Sequence, residues 1–378
     1  MVPYSTMKIL LVCERLSGHG GWYTYARSLK EGLESRGHTV ITCSMKGADG
    51  DHPLLPSPLD TLGKPWLLPG AAQKLKHLID ALHPDIIHVV VEPYALAAAL
   101  LPHRHRKKTV LTIHGSYGIR PLLSNRSRLL ACRYYKRIAG FITVSEYTKS
   151  AVTEMLRRKC RRSTCGNFAR SVHVVRNGIA LPAWTSREKD HAMKQILLVG
   201  GVKPRKGILE ALEGCAAYRQ QYGKQSFLLT VVGTRDDVDH VRIVRRRIRD
   251  LALEPNARLV GSLSDEALRK AYEDADLYLM PSPTGLNTFE GYGIAFIEAN
   301  AYGVPVIGPD TGGAAEAIRE GRTGYRVKVS DPAMIAERMQ WVLDGDRINA
   351  EECRAWAEEH DVRKRAEEVE HVYKAMSS

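Results

Sequence analysis

No run of this chain approaches the length of a membrane span. The N-terminus, MVPYSTMKILLVCERLSG, opens without a basic cluster, and its apolar stretch is cut short by Glu14 and Arg15. Both features argue against an anchor or a secretory leader and point to a cytoplasmic protein. Cysteine is sparse and unpatterned. Seven are scattered at 13, 43, 132, 160, 165, 215 and 353, and the near pair Cys160 and Cys165 has no second pair to complete a zinc site. They are expected to be reduced thiols. A dinucleotide fingerprint is missing too. Gly18, Gly20 and Gly21 do not fit G-x-G-x-x-G, and the second strand ends in CSMK with no acid for a ribose, which excludes a nicotinamide site.

What is present suits two soluble globular domains. The chain has 378 residues, 44% hydrophobic and 26% charged. The 55 Lys and Arg exceed the 42 Asp and Glu to give +13, a balance that favours anionic partners: nucleotide diphosphates, an acidic membrane surface or nucleic acid. The runs HRHRKK and VRIVRRRIRD are the case for a nucleic-acid-binding protein. Neither interleaves aromatic side chains for base stacking and no recognition motif accompanies them, so no nucleic-acid partner is expected.

Short β-rich runs alternate with longer helical patterns. In the first half the strand candidates are 8–13, 39–43, 86–90, 109–113, 140–144 and 173–175; in the second they are 195–199, 227–232, 258–260, 277–280, 305–307 and 324–327. Helical stretches such as 22–36, 71–82, 145–157, 207–222, 239–253, 264–274 and 332–343 lie between them. Strand, helix, strand at this spacing means parallel βαβ units, and the pattern runs through twice. A polar, proline-bearing break near 180–193 marks the linker. The expected domains are therefore 1–180 and 181–349, with a final helix over 350–378 that crosses back to the first.

Three segments carry chemistry. The first βα turn, LVCERLSGHGGWYTYA, is glycine-rich and opens a helix, so it is either an anion site or a plain tight turn. KPRKG, 203–207, follows the strand QILLVG; Arg205 and Lys206 either hold a diphosphate leaving group or form a solvated basic turn. The third segment is MPSPTGLNTFEGYGIAFIEANAYGVPVIGPDTGG, 280–313, in which seven residues separate Glu290 from Glu298. Gly291 and Gly293 keep the backbone open before a helix that should begin near Ile294. Glu298 sits on a stretch so apolar that its carboxylate needs a partner: a ribose diol, an arginine, or solvent.

Taken together, these features resemble family 4 of the glycosyltransferases, which have the GT-B fold. The residues that carry the resemblance are Gly20 and Gly21, PDIIHV at 84–89, the strand ending in His114, VSEYTK at 144–149, VVRNGI at 174–179, KPRKG, SDEALRKAYEDADLYLMPS and E-x7-E at 290–298. The resemblance implies an α/β protein of two Rossmann-like domains whose parallel sheets face each other across a cleft. It implies a nucleotide-diphosphate sugar, GDP- or UDP-linked, as donor, retention at the anomeric carbon, no cofactor and no required metal. The acceptor would be a glycan or lipid-linked glycan, with an anionic membrane surface as a further partner and a peripheral location on the inner face of the membrane.

By the same resemblance Glu290 contacts the donor sugar hydroxyls and His114 lies beside the transferred sugar. Glu298 takes the ribose. The amides of Tyr292, Gly293 and Ile294 hold the diphosphate together with Arg205 and Lys206, Gly20 and Gly21 close on it, and Val260 to Leu263 border the base. One departure stands out: the family commonly has arginine where this chain has Gly201, and Arg205 is the residue expected to supply that charge. A GT-B protein that binds without transferring is the remaining alternative, against which the intact Glu290, Glu298 and Lys206 argue.

Overall fold

The computed structural model describes residues 6–18, 20–184, 192–223, 226–285, 287–345 and 348–377. The chain divides into two compact units, Met1–Ala180 with Asp361–Ser378, and Leu181–His360. Residues 185–191 of the expected linker lie outside the described residues.

The first unit runs β1 (Lys8–Val12), α1 (Gly21–Ser35), β2 (Thr39–Met45), β3 (His52–Leu55), α2 (Pro58–Gly63), α3 (Leu68–Leu82), β4 (Ile86–Val89), α4 (Ala95–Ala98) and α5 (His103–Arg106). It continues through β5 (Thr109–Ile113), α6 (Ser116–Leu123), α7 (Arg128–Arg137), β6 (Gly140–Thr143), α8 (Glu146–Lys159), α9 (Arg162–Ser171) and β7 (Val172–Val174). The strands lie in the order β3-β2-β1-β4-β5-β6-β7, and every pairing is parallel. Helices cover both faces of such a sheet, which is why its central strands read as unbroken apolar runs: Ile9 to Val12 are fully buried. Strand β3 was not among the sequence candidates. Its four residues, HPLL, contain Pro53, which has no N–H to donate and is tolerated here because the strand is an edge.

The second unit runs β8 (Lys194–Val199), α10 (Ile208–Tyr222), β9 (Phe227–Val232), α11 (Val238–Asp250), β10 (Ala257–Gly261) and α12 (Asp265–Asp274). Then come β11 (Leu277–Leu279), α13 (Ile294–Ala301), β12 (Val306–Pro309), β13 (Gly324–Val327), α14 (Pro332–Leu343) and α15 (Ala350–Glu358). Its order is β10-β9-β8-β11-β12-β13, again parallel throughout. In both units the chain winds outward from the first strand and then reverses. The reversal leaves a crevice at the carboxyl ends of β1 and β4, and likewise of β8 and β11.

Two expectations need correction. The stretch from 350 is not one helix: α15 closes the second unit, and α16 (Val362–Ser377) packs against α1 in the first. The sequence shows no proline or glycine there, so the break is tertiary. His360 is hydrogen-bonded to the Tyr292 hydroxyl and to the Trp356 carbonyl, while the Val362 amide donates to the Ile179 carbonyl at 2.9 Å. The cysteines are not all thiols. Cys132 of α7 and Cys160, just past α8, form a disulfide with Cα atoms 5.7 Å apart, whereas Cys165, nearer in sequence, is free. Helix packing brings them together over 28 positions. Closing a loop of that length constrains the unfolded chain by about 3 to 4 kcal/mol. No helix among the described residues is long and apolar enough to cross a membrane.

Candidate active site

In the second unit the loops after β8 and β11 meet at the reversal point. The first holds KPRKG, where Gly207 is left-handed (φ 70°) and a Cβ would overlap the Pro281 carbonyl oxygen. Glycine therefore lets the two loops lie against each other. The approach brings Arg205 and Lys206 onto Glu290. The Arg205 Nη1 is bonded to Glu290 Oε2, and the Lys206 Nζ donates to the same oxygen at 3.0 Å. This is no solvated turn, since the Lys206 side chain is 12% exposed and that of Glu290 17%.

Electrostatics follow from that packing. Burial alone would raise the Glu290 carboxyl, but the Arg205 and Lys206 charges outweigh it and hold the group down at about 2. Burial pulls Lys206 below its ordinary value, a shift only partly offset by Glu290. Two cations against one carboxylate leave a net positive site at the end of a strand, suited to an anion.

Helix α13 begins at Ile294, as the glycines imply. Its N-cap, Gly293, is left-handed (φ 74°), a Cβ there would press 2.6 Å from the Phe296 ring, and no side chain caps the helix. One turn on, Glu298 accepts a hydrogen bond from the Tyr272 hydroxyl of α12 at 2.9 Å. Tyr272 is itself fixed, 3% exposed and stacked on Tyr302 at 5.6 Å with the planes 3° apart. Tyr272 thus gives the half-buried Glu298 carboxylate a hydrogen-bond partner on the neighbouring helix. Tyr272 was missed from sequence, although it lies within AYEDADLYL, because its role depends on α12 meeting α13 across 26 positions.

Val260 and Leu263 stand at the carboxyl end of β10 with half-buried side chains. Gly201 follows β8; a side chain there would meet Thr234 Oγ1 at 3.0 Å, so the position of the missing arginine is partly filled.

In the first unit Gly20 precedes α1 and its carbonyl accepts the first amides of that helix, from Tyr23 and Thr24, with Gly21 as the first helical residue. His114 directly follows β5. Its Nε2 donates to the Val90 carbonyl at 2.9 Å and its amide to Glu92 at 2.8 Å. Burial depresses the His114 imidazole to about 4, so it is neutral at ordinary pH. Glu92 was not singled out from sequence. Within the basic runs His105 and Arg106 are buried, and in α11 Arg242, Arg246 and Arg247 pair with Asp239, Asp250 and Glu213.

Two family models tile the chain: Glycosyltransferase Family 4 matches residues 19–181, and Glycosyl transferases group 1 matches 185–362. The chain belongs to the family 4 glycosyltransferases. Among curated members it is 30% identical over 181 residues to the amylovoran biosynthesis glycosyltransferase AmsK of Erwinia amylovora, a match spanning 47% of this chain and 43% of AmsK, so less than half of that relative's length. A longer match, 24% over 362 residues, covers 90% of this chain and 88% of the phosphatidyl-myo-inositol mannosyltransferase of Mycobacterium tuberculosis. The solved sucrose-phosphate synthase of Thermosynechococcus elongatus superposes with a TM-score of 0.78 at 18% identity, covering 98% of this chain and 99% of that one. The two parallel α/β units are thus those of the GT-B fold.

Proposed function

We propose that the chain is a retaining glycosyltransferase that moves a sugar from a GDP- or UDP-linked donor to a hydroxyl of a glycan or lipid-linked glycan. The observation that carries this reading is the Arg205, Lys206 and Glu290 cluster at the reversal point of the second sheet. On donor binding the diphosphate takes over the two cations, and Glu290, released from them, turns to the sugar hydroxyls. The tyrosine-held Glu298 takes the ribose. The anomeric carbon loses its bond to the phosphate oxygen and gains one to the acceptor oxygen on the same face. The acceptor proton passes to the departing phosphate oxygen, so no separate base is needed. Arg205, Lys206 and the start of α13 offset the charge that develops there. The test is the anomeric configuration of product made from GDP-mannose or UDP-glucose: retention agrees, inversion contradicts.

The acceptor is proposed to lie at an anionic membrane surface, in keeping with the phosphatidyl-myo-inositol acceptor in the name of one relative. On α6 and α7 Leu123 and Leu129 are exposed, Leu129 by 79%, beside the exposed Arg120, Arg126, Arg133, Lys136 and Arg137. Leu122, on the other face of α6, is buried. Co-sedimentation with phosphatidylglycerol vesicles, but not with phosphatidylcholine, is expected at low salt; equal recovery with both ends this part of the reading.

A further inference from the structure

Glu92 occupies the turn after β4, at the reversal point of the first sheet, and the transfer scheme above leaves it without a role. It is 1% exposed. The groups that bond it are neutral N–H donors: the Trp22 indole on Oε2 at 3.0 Å, the His114 amide on Oε1 at 2.8 Å, and the Gly115 amide. An ionised carboxylate buried without a cation is costly, and an apolar residue would fill the same space at less cost.

The donors come from two separate loops. Trp22 is the second residue of α1, directly after Gly20 and Gly21, while His114 and Gly115 form the turn after β5. Aromatic packing tightens both ends, with Trp22 against Tyr117 at 4.9 Å and Tyr25 edge-on to His114 at 4.6 Å. One planar carboxylate, with an oxygen for each loop, sets the position of each relative to the other.

We propose that Glu92 is a positioning residue that couples the start of α1 to the His114 turn, holding both loops in one geometry at the substrate edge of the first unit. The coupling stands on these contacts; its value for turnover rests on the transferase reading.

Selective ¹⁵N labelling of tryptophan and histidine tests it in the full chain, with Trp22→Phe assigning the indole and His114→Gln the amide. Trp22→Phe is expected to shift the His114 amide resonance, and that shift should vanish in the Glu92→Gln background, where the amide of His88, buried on β4 of the same unit, reports an intact fold. Glu92→Asp takes its place if Glu92→Gln does not fold. A Trp22→Phe shift of unchanged size in the variant, or no shift at all, overturns the coupling. With GDP-mannose or UDP-glucose, whichever the wild type turns over, Glu92→Gln is expected to lower kcat at least tenfold with donor KM unchanged. A lowered melting temperature with kcat intact would make Glu92 structural only. If the wild type turns over neither donor, the transferase reading fails, and the resonances still decide the coupling.

Discussion

Lys206 reaches Glu290 across 84 positions of sequence, Nζ to carboxylate at 3.0 Å, in a site where Arg205 bonds the same oxygen. The carboxylate thus holds, in the free protein, the two cations that the proposed donor needs.

Replacing Glu290 separates its two roles. Glu290→Ala frees both cations, so nucleotide diphosphate should bind at least as tightly as to wild type, while kcat falls by roughly two powers of ten through loss of a contact to the reacting sugar. Without nucleotide the variant should melt lower, since breaking a buried pair costs about 3 to 5 kcal/mol. Saturating diphosphate should restore more of that loss than it adds to wild type. Calorimetry and steady-state kinetics on one preparation check all three outcomes.

Glu298 and Tyr272 should behave as a unit. Glu298→Ala is expected to raise the donor KM by roughly one to two powers of ten, for a charged hydrogen bond of about 1.5 to 3 kcal/mol, with kcat little changed. Tyr272→Phe keeps the stack on Tyr302 and removes only the hydroxyl, so it should raise KM by less, and the double variant should be no worse than Glu298→Ala alone. Additive effects would show that Tyr272 does not act through Glu298.

Glu92 gives a pH dependence with opposite signs in activity and stability. Burial raises its carboxyl from 4.5 to about 7. The titratable groups around it, His114 of the turn and Tyr134 and Tyr135 of α7, stay neutral through that range, the histidine depressed to about 4 and the tyrosines pushed far up by burial. Below about 7 the acid form loses an acceptor for its N–H donors, so kcat should fall as pH drops. Because the folded value lies above the unfolded one, this group stabilises the fold fully below 4.5 and loses that contribution as pH rises through 7. Between pH 6 and 8 wild type should therefore lose melting temperature relative to Glu92→Gln; parallel melting curves would contradict this assignment.

Catalysis is expected to survive chelation, since the cationic role falls to Arg205, Lys206 and the start of α13. Asp-x-Asp triplets occur at 49–51, 237–239, 274–276 and 344–346; Asp346 lies outside the described residues, Asp344 accepts from the Tyr218 hydroxyl at 2.7 Å, and the carboxylates of the other three have partners as well. Asp49 accepts from the Leu16 amide, Asp51 from Thr42, Asp237 caps α11, Asp239 pairs with Arg242, Asp274 with Lys270, and Asp276 accepts from the Gln195 amide. Turnover abolished by EDTA and restored by Mg²⁺ or Mn²⁺ would displace those cations from the diphosphate role.

What could be read from the sequence was what is local in it. Alternating strands and helices, the glycines before Ile294 and the E-x7-E spacing all lie within one or two elements, so periodicity and backbone rules reach them. The partners of those residues do not. Tyr272 meets Glu298, and Glu92 meets Trp22, only because parallel strands place distant βα loops side by side at one edge of a sheet. The same limit hid the Cys132 to Cys160 bond behind the nearer Cys165, and it hid the break at His360, where hydrogen bonds to Tyr292 and Trp356 and the pairing of Asp361 with Ile179 interrupt an otherwise continuous helical pattern. Strand β3 was lost for another reason: four residues with a proline carry too little pattern to be seen.

The most direct test of the account is calorimetric titration of the metal-free protein with GDP, UDP and ADP, repeated on Lys206→Ala. At least one diphosphate should bind wild type, and the variant should lose about ten- to a hundredfold in affinity, as expected for a charged hydrogen bond of about 1.5 to 3 kcal/mol. If no nucleoside diphosphate bound, or if Lys206→Ala bound as wild type does, the cluster at the reversal point would not be a donor site.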